Sequence, residues 1–143
     1  MRDLHNNVRI LRSISPVAVG TTGTGKTGVA VDRAGYEAVE FEFSYGAITA
    51  TNAVFTPTVL EGDTATGSFT SVADADLIGT EAEAGIAAGA RTSGVNRNVT
   101  KRVGYRGVKR YVKAKIVSTV TAGTPVGANV LLGNPVHAPV ANP

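Results

Sequence analysis

The chain has no cysteine and no tryptophan, one methionine, and two histidines, His5 and His137, set near opposite ends of its 143 residues. Without cysteine there is neither a disulfide framework nor a thiolate metal site, so burial alone must hold the fold. A chain of this length removes roughly 70% of its unfolded surface from water, enough for one domain without staples. No serine stands in a G-x-S-x-G setting, and the two histidines read as tail residues outside any ligand or triad spacing. No segment approaches the ~20 apolar residues of a membrane helix, and residues 1–15 lack the continuous apolar stretch of a secretory signal. From these absences we expect a soluble protein made in the cytosol of its host. We expect it not to be an enzyme, and to have no cofactor, metal, small-molecule substrate or membrane partner.

What is present is glycine, alanine, threonine and valine, with 17 Gly and 6 Pro breaking the chain into short pieces. β-Branched residues outnumber strong helix formers, which predicts many short strands joined by turns. The clearest strand is 36–45, where Val39, Phe41, Phe43 and Tyr45 share one face and Ala38, Glu40, Glu42 and Ser44 the other. Further strands are expected at 8–14 (Val8, Ile10, Arg12 and Ile14 on one face), 29–31, 53–60, 67–72, 98–104, 108–117 and 126–132. Pro57 suggests an edge or a bulge. In 108–117, Val112, Ala114 and Ile116 face inward, with Tyr111, Lys113 and Lys115 outward. Segment 73–78 is ambiguous, and 81–90 reads as a brief helical turn or a mobile loop. The predicted fold is all-β, a single β-sandwich or jelly-roll-like domain over 17–133. An N-terminal arm and first strand (1–16) precede it, and an extended, proline-rich C-terminal arm (134–143) follows.

The net charge of +3 conceals a division. Nine acids and no bases lie between Ala34 and Ala90, nine bases and no acids between Arg91 and Lys115, and no charged side chain follows. Such blocks pair with each other or meet partners of opposite sign. Glu40 and Glu42 across from Lys113 and Lys115 are the expected cross-strand pairs, within one subunit or across an interface. The basic stretch Arg97–Lys115, with Tyr105 and Tyr111, also has the ingredients of a single-stranded nucleic-acid surface, although the aromatic-rich RNA-recognition signature is missing.

One string imitates catalytic machinery. Gly20, Gly25, Lys26 and Thr27 satisfy G-x-x-x-x-G-K-[ST], which cradles phosphates when a helix leaves the loop. Here Thr27 is followed by Gly28-Val29-Ala30-Val31, a β-type run, so the motif is refused. Asp74, Asp76, Glu81 and Glu83 lack the spacing of a calcium loop and read as a solvated acidic loop. Asn98-Val99-Thr100 is a formal glycosylation sequon that needs a secretory route to matter.

The stretch from Lys101 to Ile116 resembles a family of small proteins encoded beside the major capsid protein of tailed bacteriophages. Tyr36–Phe43, Val72–Gly79 and Leu131–Val140 are similar in the same order, so the resemblance covers most of the chain from about Val29. The segment Gly20–Gly28 departs from it, being longer and richer in glycine. The resemblance implies a head decoration, or cement, protein on the outer capsid surface of the virion, assembled in the bacterial cytoplasm. Its implied partners are the major capsid protein and sister copies in a homotrimer. The alternatives are the nucleic-acid module or a tail or adhesion β-protein of the virion. The expected contact residues are Arg2, Arg9 and Arg12, Glu40 and Glu42, the basic strands with Arg102, Arg106, Lys109, Arg110, Lys113 and Lys115, and the tail with Pro135, His137 and Pro139.

Overall fold

The computed structural model describes residues 3–19, 25–47, 53–87, 98–119 and 124–141. Ten strands lie among them: β1 (Val8–Ala18), β2 (Lys26–Thr27), β3 (Val31–Asp32), β4 (Tyr36–Tyr45), β5 (Phe55–Gly62), β6 (Thr70–Ser71), β7 (Leu77–Ile78), β8 (Val99–Tyr105), β9 (Tyr111–Ser118) and β10 (Pro125–Pro135). A 3₁₀ turn at Asp74–Asp76 and a single helical turn, α1 (Glu81–Ala84), complete the set. The strands form two antiparallel sheets, β1-β10-β4-β8-β7 and β2-β9-β5-β6, with β3 also pairing β9. The molecule is a β-sandwich.

The alternation in β4 places its aromatic face in the core: Val39, Phe41, Phe43 and Tyr45 are buried. The flanking strands follow the same period, with Val126, Ala128, Val130 and Leu132 of β10 and Val103 and Tyr105 of β8 buried beside them. From the opposite sheet come Phe55 and Val59 of β5 and Val112, Ala114 and Ile116 of β9. Tyr45 and Phe55 join the layers, their ring centroids 5.7 Å apart. The Tyr45 hydroxyl donates to the Ala84 carbonyl at 2.8 Å, which anchors α1 to the core.

Two departures from simple alternation matter for the surface. The register of β1 against β10 shifts between Arg12 and Ile14, a bulge that turns Ile14 into the core while Val8, Ile10 and Arg12 stay outside. The single face expected for Val8, Ile10, Arg12 and Ile14 is corrected by that extra residue. The residue at the bulge, Ser13, is buried, and its hydroxyl accepts the Ala114 N–H at 3.0 Å and donates to the Val29 carbonyl at 3.0 Å. It occupies the gap between β2 and β3 along β9, where Gly28 N–H reaches the Ala114 carbonyl at 2.8 Å.

The second departure is at the open edge of β5. Phe55 N–H donates to Ile86 O at 3.0 Å, Pro57 has no N–H, and Val59 N–H donates to Glu81 Oε1 at 2.6 Å. A bridge, a proline and a carboxylate therefore close the donors of an edge that is otherwise a template for another strand. At the chain ends, Val136 N–H donates to Gly35 O at 2.9 Å and Val140 N–H to Asn6 O at 3.1 Å.

Candidate interaction face

On the outer side of the first sheet the register lines up one residue per strand. Ile10 lies opposite Leu131, Leu131 opposite Glu40, Glu40 opposite Gly104, and Gly104 opposite Ile78. This row crosses five strands, a span of about 19 Å at the usual inter-strand spacing. Its ends are exposed apolar side chains, Ile10 at 52% and Ile78 at 59%. The adjacent row, Arg12, Asn129, Glu42 and Arg102, is polar throughout. On the other side Val8, Gly133 and Ala38 are small or apolar. Between them runs a groove of about 470 Å³, lined by Val8, Ala38, Glu40, Ile78, Arg102 and Leu131 among others.

The expected pairing of Glu40 and Glu42 with Lys113 and Lys115 does not form within the chain, because β4 and β9 belong to opposite sheets. The basic strand beside β4 is β8: Arg102 lies opposite Glu42, and its Nε is 3.6 Å from Glu40. Among the described residues, most of the other bases find separate partners, and Arg91 and Arg97 lie outside them. Lys101 points inward and donates to Gly85 O at 2.8 Å, and Arg106 Nε donates to Ala75 O at 2.8 Å. Lys109 meets Asp63 at 2.8 Å, and Arg110 meets Asp32 at 2.7 Å. Lys113 sits 3.8 Å over the Phe69 ring, and Lys115 lies between Thr27 and Thr58. The described bases thus divide between two sheets and a connecting loop rather than forming one cationic face.

That loop, 106–110, is fastened from below. Arg33 donates to the carbonyls of Gly107 and Lys109 at 3.0 and 3.3 Å, with its guanidinium 5.6 Å from the Tyr105 ring centroid. The Tyr105 hydroxyl donates to Glu61 at 2.6 Å and accepts the Lys109 N–H at 3.0 Å. Tyr105 is therefore a buried structural post and not an exposed stacking platform.

Of the terminal residues expected at an interface, Arg2 lies outside the described residues. Arg12 is exposed on the outer face, whereas Arg9 lies opposite the buried Leu132 with its Nε enclosed. Pro135 ends β10 opposite Tyr36, and His137 and Pro139 lie in the segment that returns to Asn6. Gly20 of the phosphate-loop string is also outside the described residues, but its last two residues are strand β2, paired with Ile116 and Lys115. Thr27 therefore does not open a helix. In the acidic segment, Glu81 caps the β5 edge and Glu83 completes a capping box with Thr80. Among the described residues, no three of His, Cys, Asp and Glu are grouped to hold a metal ion.

Ile10, Leu131, Gly104 and Ile78 were not singled out from sequence. Ile10 carries a signal, as an apolar residue on one face of the first predicted strand with Val8 and Arg12. Ile78 carried none, because a two-residue strand has no period to read.

No protein-family model matches the chain, and no curated protein matches it. Among solved structures it is similar to the N-terminal endo-1,4-β-D-xylanase 10B of Clostridium thermocellum, CBM22-1–GH10 modules, complexed with xylohexaose. The TM-score is 0.50 at 11% identity, over 96% of this chain and 28% of that one. At that identity the likeness concerns the fold, and it agrees with the β-sandwich described above.

Proposed function

We propose that this chain is a non-catalytic structural protein that decorates the outer surface of a tailed-phage capsid, binding the major capsid protein and sister copies, in a trimer. The observation that carries the reading is the five-strand row on the outer sheet face. Ile10, Leu131 and Ile78 offer apolar area around one acidic position, and the exposed Arg12 and Arg102 stand in the adjacent polar row. An apolar strip with a polar border is the usual composition of a protein-binding patch. The order of segments that resembles capsid-adjacent phage proteins supplies the identity of the partner.

The test is to mix the purified chain with empty shells assembled from the major capsid protein encoded beside it. Saturable co-sedimentation at a fixed ratio to capsid subunits, with a raised disassembly temperature of the shells, is expected. Absence of co-sedimentation at micromolar chain would sink the proposal. Steeply salt-dependent binding to single-stranded DNA in its place would favour the nucleic-acid alternative.

A further inference from the structure

Glu40 and Glu42 stand two residues apart on β4 and share one face, yet their surroundings differ. Glu42 accepts from Asn129 Nδ2 at 2.6 Å and from the Ser44 hydroxyl. Glu40 has no hydrogen-bond donor among the described residues. Its nearest cation, Arg102, forms an ion pair 3.6 Å away through Nε, beyond hydrogen-bond range, and that side chain is 81% exposed. The other cation lining the groove, Arg106, already donates to Ala75 O.

The floor of the groove is built around this carboxylate. A Cβ on Gly104 would lie 2.9 Å from Glu40 Oε2 and 3.0 Å from Ile78 Cβ, so glycine here gives the carboxylate its place beside Ile78 without a shift of either side chain. Leu131 flanks it on the other side. The Glu40 side chain is 33% exposed, and burial holds its carboxyl above the usual carboxylate range. A half-dehydrated charge with no donor is a cost to the isolated fold, and a donor from outside would remove it.

We propose that this groove receives a lysine or arginine side chain of a partner protein, its head on Glu40 and its aliphatic stem between Ile78 and Leu131. The inference rests on the reading of this face as a protein-binding surface and names the chemistry of what it binds. A long cationic side chain matches both halves of the groove, since its stem is apolar and its head makes charge-assisted hydrogen bonds. Nucleic acid would bring phosphate against a carboxylate. A divalent cation would find two carboxylates, Glu40 and Glu37, the second already accepting from Asn134, where it needs six or more oxygen ligands.

Two measurements separate this inference from the capsid reading. The first is an NMR titration of the ¹⁵N-labelled chain with blocked tripeptides Val-Lys-Val, Val-Arg-Val and Val-Gln-Val. Shifts centred on Ile78, Gly104 and Gly133 are expected with the basic peptides, and binding about tenfold weaker is expected for Val-Gln-Val and for Glu40→Gln. The second is shell binding by wild type, Glu40→Gln and Gly133→Val. Gly133→Val puts bulk in the groove where a Cβ meets only Ala38, at 3.5 Å. Both variants should bind shells about tenfold more weakly while keeping a wild-type circular dichroism spectrum.

Shells bound equally by all three chains would overturn the inference and leave the capsid reading standing. Glu40-dependent peptide binding without shell binding would support the groove and remove the capsid partner. Peptides that bind without regard to charge, or a Glu40-dependent dimer of the chain alone, would overturn it.

Discussion

The Ser13 hydroxyl and the Ala114 amide meet at 3.0 Å across 101 residues of sequence, and that contact ties the bulge of one sheet to the central strand of the other. Ser13→Ala leaves the buried Ala114 N–H and the partly buried Val29 carbonyl without this partner. The expected loss is about 1–3 kcal/mol, read from urea unfolding midpoints at unchanged m-value. Gly28→Ala should cost at least as much, because its Cβ would fall 2.3 Å from the Ser13 hydroxyl and 2.6 Å from the Ser13 carbonyl oxygen. Since the second clash is with backbone, Ser13→Ala should not rescue Gly28→Ala in the double variant.

Glu81 is the removable part of the guard on β5. Glu81→Ala should lower stability by about 1–2 kcal/mol through the unpaired Val59 N–H. It should also raise self-association in static light scattering, because an open edge pairs with other edges. Glu81→Gln keeps an acceptor oxygen and should lie between the two. If Glu81→Ala stays monodisperse at high concentration, the edge is protected by Pro57 and Ile86 alone.

Glu40→Gln is expected to stabilise the isolated chain at neutral pH. Burial raises the folded-state pKa of Glu40 above the usual carboxylate range, so the native state binds its proton more readily than the unfolded chain. Stability from this group therefore falls as pH rises through that window and recovers on acidification. The advantage of the glutamine variant should be largest near neutrality and shrink as pH falls through the folded pKa. Thermal midpoints of both proteins across that range check the sign.

Asp32 works in the opposite sense. The Arg110 guanidinium and the Ala34 amide hold its carboxyl below the usual carboxylate range. Its contribution is fully present above the unfolded-chain pKa and lost as pH falls through the lower, folded pKa. Both side chains are well exposed, so Asp32→Asn should cost about 0.2–1 kcal/mol at neutral pH and less in high salt. A larger, salt-independent loss would mean that the Ala34 hydrogen bond dominates.

Much of the sandwich was legible because β4, β9 and β10 are long enough for every second side chain to declare its face. Val39, Phe41 and Phe43 need no tertiary information to be read as core. The partners of those strands were not legible in the same way. Glu40 and Glu42 look alike along the chain, and the nearest long basic run suggested Lys113 and Lys115. Only the sheet order, with β8 beside β4 and β9 in the other layer, gives Arg102 to the acids. Lys101 shows a related limit: its place opposite Phe43 is inward, and its amine finds Gly85 O. The bulge at Ser13 hid the face of Ile10 and Ile14, because one extra residue reverses the pattern downstream. Strands of two residues, such as β2 and β7, are shorter than the period that would reveal them.

The hydrogen bond from Val140 to Asn6 has a mechanical meaning. It brings the two chain ends together where β1 begins, at Val8 opposite Gly133 of β10. A pull applied between those ends opens the β1–β10 ladder like a zipper, one rung after another, at low force. Ile10 and Ile78 stand in one row across the five strands, so a pull between those two side chains also runs along the inter-strand hydrogen bonds and not along the strands.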